Sequence, residues 1–119
     1  MSFHKLIPLS ILLSLGVHSA CLDDAYTTAD MSNCYTAELK VEDQKLNVVL
    51  NKAYKESSWI AKEIEQSQVA WLQYRDTHCS AIYSYYERGT MRFIARPSCM
   101  VELTKKRQKE IYINFIGDL

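Results

Sequence analysis

Residues 68–79, QVAWLQYRDTHC, decide the fold. Gln68, Leu72, Arg75 and Cys79 follow one another at steps of four, three and four, which places them on one face of an α-helix. The same period continues on both sides, with Ile60, Ile64, Trp71, Tyr74, His78 and Ile82 near a common face. The spacing therefore predicts one long helix from about Ser58 to Tyr86, with Trp71 and Tyr74 as core aromatics. Trp59, next to the helix break, is open to a surface position.

Working outward, Leu39, Leu46, Leu50 and Ala53 recur at helical spacing and predict a first helix over about Ser32 to Glu56. Glu38, Lys40, Glu42, Lys45 and Lys52 fall mostly off that stripe and read as a solvated face. Asp30 or Ser32 can cap its start, and Ser57 with Ser58 supplies the break and the next cap. A third helix is expected after Pro97, capped by Ser98, with Met100, Leu103, Ile111 and Phe115 on its apolar side up to Gly117. Residues 87–97, ERGTMRFIARP, have no helical period and read as a loop or short hairpin. The expected fold is mostly α: a small three-helix antiparallel bundle with an irregular loop before the last helix, stapled by disulfides.

Residues 1–20, MSFHKLIPLSILLSLGVHSA, have the three-part layout of a secretory signal: His4 and Lys5, an apolar run from Leu6 to Val17, then Ser19 and Ala20. The run is about 12 residues, short of the roughly 20 a spanning helix needs. Cleavage would leave Ala20 or Cys21 first, and residues 21–119 as the folded domain. A lipoprotein anchored at Cys21 is the less favoured reading, since His18 stands at −3 and acylation would leave three cysteines. The expected location is periplasmic or secreted, with no stable membrane span after cleavage.

Export makes Cys21, Cys34, Cys79 and Cys99 two disulfides instead of a metal site, because no CxxC pair exists and only His78 remains after the leader. Cys34 lies 23 residues before the break at Ser57 and Cys79 lies 22 after it, so both belong to one end of an antiparallel pair. Cys99 and Cys21 return to that end, and all three pairings are geometrically open. Closure of short local loops favours Cys21 with Cys34 and Cys79 with Cys99.

The whole chain carries 14 basic and 14 acidic residues among 119, with a pI near 6.8. A neutral domain of one-domain length has no field to gather nucleic acid. His78 adjoins Cys79, yet neighbours on a helix point about 100° apart. No second histidine completes a catalytic set, and no cofactor or metal is expected.

The ordered pieces Asp43-x-x-Leu46-Asn47, Gln68-x-Ala70-Trp71-x-x-Tyr74-Arg75-Asp76-x-x-Cys79, Gly89-Thr90 and Cys99-x-x-x-Leu103-Thr104-x-x-Arg107 together resemble the lysozyme-inhibitor LprI-like domain family, over nearly all of residues 21 to 111. Two departures show: Leu50 stands where the family usually has an aromatic, and Gly89 where it commonly has a glycine pair. The resemblance implies an exported, non-catalytic helical domain that binds and inhibits a lysozyme-type peptidoglycan hydrolase. The alternative is an envelope binding module for a peptidoglycan fragment, an envelope protein or a toxin.

Gln68, Arg75, Thr104 and Arg107, with Asn47, Trp71, Tyr74 and Asp76, form the structural motif. Its arginines are expected in an interhelical hydrogen-bond network joined by Asp43, Asn47 or Asp76, in preference to serving as exposed ligands for a partner's carboxylate. Arg88, Arg92, Phe93 and Arg96 are the candidate partner-binding residues, since arginine-rich loops on rigid scaffolds carry function disproportionately. The competing reading makes the same segment a cover whose apolar residues close the bundle end. Tyr83, Tyr85 and Tyr86 adjoin it and suit protein or sugar recognition equally.

Overall fold

A computed structural model describes residues 21–117; the expected leader lies outside the described residues. Three long helices account for the fold: α1 (Thr28–Glu56), α2 (Ala61–Tyr85) and α3 (Arg92–Phe115), with a 3-10 turn Ser58–Ile60 between the first two. The chain is mostly helical, with no strand among the described residues.

Helix α1 starts four residues before the expected Ser32. Thr27 is its cap: the Asp30 N–H donates to Thr27 Oγ1 at 3.0 Å, and the Asp30 carboxylate accepts from the Thr27 N–H at 3.2 Å. Asp30 thus serves as the acidic third residue of a capping box, one turn inside the position expected of it. Ser57 makes no side-chain cap hydrogen bond to the 3-10 turn, although its carbonyl accepts from the Ile60 N–H at 3.1 Å. It is buried, and its Oγ donates to the Phe115 carbonyl at 2.8 Å, tying the break to the last turn of α3.

The larger correction concerns residues 87–97. Only the stretch up to Met91 is a connection; α3 begins at Arg92 and contains Pro97 in its second turn. Backbone bonds already form there, Ile94 N to Met91 O at 3.0 Å and Ala95 N to Met91 O at 2.8 Å. Proline ends a helix when its missing N–H and its ring cost more than the surrounding contacts return. Here an ion pair, Arg96 to Asp76, and the Cys79–Cys99 disulfide hold the turns on either side of Pro97. Ser98 is therefore an interior helical residue, not a cap.

Packing is unequal. Helix α3 lies along both others, whereas α1 and α2 touch sparingly. The apolar core sits toward the Ser57 end, where Leu46, Leu50 and Ala53 of α1 meet Ile64 of α2 and Ile111 of α3, flanked by Trp71, Tyr54 and Phe115. Tyr74 does not join it: it is 52% exposed and stacks on His78 with ring centroids 5.4 Å apart. Trp59 is 77% exposed.

The opposite end has little apolar burial beyond Val101 and the sulfur atoms of Cys34 and Cys79. Covalent bonds replace hydrophobic contacts there, as small domains require. Cys21 pairs with Cys34 and Cys79 with Cys99, with Cα atoms 5.8 and 5.7 Å apart.

Candidate functional site

Two groups of polar residues stand out, one internal and one on the surface. The internal group joins all three helices. Arg75 of α2 donates from Nη1 to Asp43 Oδ1 of α1 at 2.6 Å and to Thr104 Oγ1 of α3 at 2.8 Å. Thr104 is fully buried and its hydroxyl also donates to the Met100 carbonyl at 2.7 Å. One turn further along α3, Arg107 donates from Nε to Gln68 Oε1 at 3.0 Å and from Nη2 to Ser67 Oγ at 2.9 Å, and it pairs with Glu110. The half-buried Trp71 ring lies beneath both guanidinium groups, 5.1 Å from that of Arg75 and 5.7 Å from that of Arg107.

The structure thus brings Gln68, Arg75, Thr104 and Arg107 together with Asp43. It does not bring Asn47 or Asp76 into that group. Asn47 lines an open groove of about 510 Å³ between α1 and α2, and Asp76 pairs with Arg96. Guanidinium groups spent on buried interhelical bonds fix helix register.

A second set of buried polar contacts lies between α1 and α3, where the sequence reads as a solvated face. Glu42 is buried; it accepts from Gln108 Nε2 at 2.7 Å and from Lys45 Nζ at 3.2 Å. Glu38 pairs with Lys105 at 2.7 Å, and that hydrogen bond raises the Lys105 ammonium above its ordinary value. The available signal was periodicity, since Glu38 and Glu42 continue the Leu46, Leu50 and Ala53 stripe at steps of four.

The surface group is the tip joining α2 to α3 at the cysteine end. Successive turns close it: Glu87 N to Ser84 O at 3.2 Å, Gly89 N to Tyr86 O at 3.0 Å and Phe93 N to Thr90 O at 3.1 Å. No glycine in the described chain has a positive φ, and a Cβ at Gly89 would meet nothing nearer than 3.9 Å, so this turn does not need the glycine pair. Tyr85 is 80% exposed, with Met91 and Phe93 also open to solvent.

The four candidate contact residues differ in their commitments. Arg88 is exposed and has no ion pair or hydrogen bond within the described residues. Arg92 donates from Nη1 to the Glu87 carbonyl at 2.7 Å and lies over the Tyr83 and Phe93 rings, 5.5 and 4.8 Å from their centroids. Phe93 meets Tyr83 edge to face at 6.1 Å. Arg96 reaches Asp76 from Nη2 at 3.0 Å. Two of the three arginines therefore shape the tip while remaining partly accessible.

Among the described residues no group of three or more His, Cys, Asp or Glu side chains could hold a metal ion, and no helix is long and apolar enough to cross a membrane.

Fold and tip together define a small all-α domain stapled by disulfides, of the kind built in oxidising compartments outside the cytosol. The chain belongs to the lysozyme inhibitor LprI family, whose model matches residues 20–111. Searches of curated proteins and of solved structures gave no match. At family level the role is inhibition of lysozyme and not catalysis.

Proposed function

We propose that this chain is an exported, non-catalytic protein, periplasmic or secreted, that binds and inhibits a lysozyme-type peptidoglycan hydrolase through the tip, with Arg88, Arg92, Phe93 and Arg96 as contact residues. The observation that carries the reading is a cation unpaired among the described residues, Arg88, on a turn braced by hydrogen bonds and by the Cys79–Cys99 disulfide, beside the exposed Tyr85, Met91 and Phe93. Glycoside hydrolases of this type work with paired carboxylates in a cleft. A cation presented from a braced turn fits such a cleft, because charge-assisted bonds form there at a lower ordering cost than from a loose loop.

The test is a cell-wall turbidity assay with the oxidised domain titrated into c-type and g-type lysozymes. Lysis is expected to stop near one-to-one stoichiometry, and reduction of the disulfides is expected to abolish the block. Undiminished lysis by both enzymes at large excess of the domain overturns the proposal, and retention on purified sacculi without lysozyme then points to an envelope module instead.

A further inference from the structure

Behind the tip, where the N-terminal turns of α3 cross the start of α1, lies a cavity of about 310 Å³ that is open to solvent. Its wall contains two guanidinium groups, Arg92 and Arg96, and no carboxylate. Arg96 has a counter-ion, Asp76, outside that wall. Arg92 has none among the described residues: its side-chain hydrogen bond there is to a backbone carbonyl, and its guanidinium lies over two rings. Its Nε–H is buried without any acceptor. Nε itself is closed to solvent, so an incoming anion relieves the unmatched charge of the guanidinium and not that donor.

The rest of the wall defines what carries that anion. Ser32 and Thr36 of α1 lie on one side, the Thr36 hydroxyl donating to the Ser32 carbonyl at 2.9 Å, and Leu39, Pro97 and Met100 form an apolar floor. A free inorganic anion would leave that floor uncovered. A fully apolar molecule would leave the Arg92 charge unmatched.

We infer that this cavity is a receptor for a carboxylate on a short apolar stem, with the carboxylate held by Arg92 and Arg96 and the stem against Leu39, Pro97 and Met100. Two sources share this chemistry, a small aliphatic monocarboxylate and the C-terminal residue of a peptide ending in an apolar side chain. The inference does not rest on lysozyme being the partner of the tip, and it is tested on the isolated domain, so the failure of either reading leaves the other intact.

The experiment titrates the oxidised domain with hexanoate and, separately, with N-acetyl-leucyl-leucine, each beside its neutral amide, following the Arg92 Nε–Hε signal and the Tyr83 and Phe93 ring protons by NMR. Saturable shifts with at least one acid and none with the amides are expected, and the tighter acid identifies the source. Arg92→Gln should weaken that acid roughly tenfold or more, the effect of losing a charge-assisted bond. Leu39→Glu supplies a competing carboxylate from the cavity wall and should also weaken it, which keeps the test open if Arg92→Gln folds poorly. Equal binding of acids and amides, binding undiminished in a folded Arg92→Gln or Leu39→Glu protein, or no saturable shift with either acid overturns the inference.

Discussion

Arg107 and Gln68 stand 39 residues apart in sequence and meet in the buried seam between α3 and α2, with Nε donating to Oε1 at 3.0 Å. The same guanidinium holds Ser67 and Glu110, so one side chain of α3 satisfies two groups on α2 and one on its own helix. Its 6% exposure leaves no room for water to take over those bonds.

Arg107→Met is therefore expected to destabilise the domain by about 2–4 kcal/mol in urea denaturation, because Gln68 is left buried without its donor. Arg107→Lys should not rescue it, since an ammonium lacks the planar fork that reaches three partners. Combining Arg107→Met with Gln68→Leu should cost less than the sum of the two changes. A cost below about 0.5 kcal/mol for Arg107→Met, the level of an ordinary surface change, contradicts this account.

Cys79→Ser with Cys99→Ser opens a loop of sequence separation 20 and should cost about 3 kcal/mol on the chain-entropy account. Its local signature is more diagnostic. Pro97 deprives the second turn of α3 of a backbone donor, and the disulfide lies just beyond it, so amide exchange in the first two turns of α3 should accelerate ahead of the core around Ile111. Uniform acceleration across both regions would show that the bond does not act locally.

Ser57→Ala removes the bond from the helix break to the Phe115 carbonyl and should cost about 1 kcal/mol in thermal or urea unfolding, with the amides of Phe115 and Ile116 losing protection first. Trp59→Ala, two residues away but exposed, should leave stability within about 0.5 kcal/mol.

Two groups contribute at opposite ends of the pH profile. The Asp30 carboxyl is held below its ordinary value of 3.8, by the Thr27 side chain first and by the Tyr26 and Thr27 backbone N–H groups. Its folded pKa is depressed, so the stabilisation is present above 3.8 and disappears as pH falls through the lowered value. Lys105 is raised above 10.5 by its hydrogen bond with Glu38, so its contribution is full below 10.5 and disappears as pH rises through the raised value. NMR titration should show the first turn of α1 loosening only in acid, and Asp30→Asn should remove that step while leaving the alkaline limb unchanged.

The tip reading separates cleanly from stability. Arg88→Ala should reduce lysozyme inhibition while the melting temperature stays constant, because this side chain makes no hydrogen bond or ion pair among the described residues. Trp59→Ala, at the far end of the molecule, should leave inhibition untouched. Loss of inhibition in the second and not the first would move the contact surface to the Ser57 end.

Local pattern alone determined much of this protein. The steps of four, three and four through Gln68, Leu72, Arg75 and Cys79 define a helix whatever surrounds it, because side-chain direction on a helix depends only on its own period. The break at Ser57 and the count of residues on either side of it bring Cys34 and Cys79 to one end, and short loop closure selects the pairing the structure contains. Convergence of Arg75 and Arg107 on polar partners was also legible, since both motifs place their polar groups on shared faces.

Tertiary structure decided the rest. Pro97 reads locally as a boundary, yet the disulfide and the Arg96–Asp76 pair stabilise helix on both sides of it and carry α3 back to Arg92. Glu42 reads as solvated, but the position of α3 along α1 buries it and supplies Gln108 as its partner. Tyr74 reads as core, and the sparing contact between α1 and α2 leaves it outside. Periodicity fixes which residues share a face; how far each helix rotates toward its neighbours depends on contacts between residues distant in sequence, and only the assembled fold contains those.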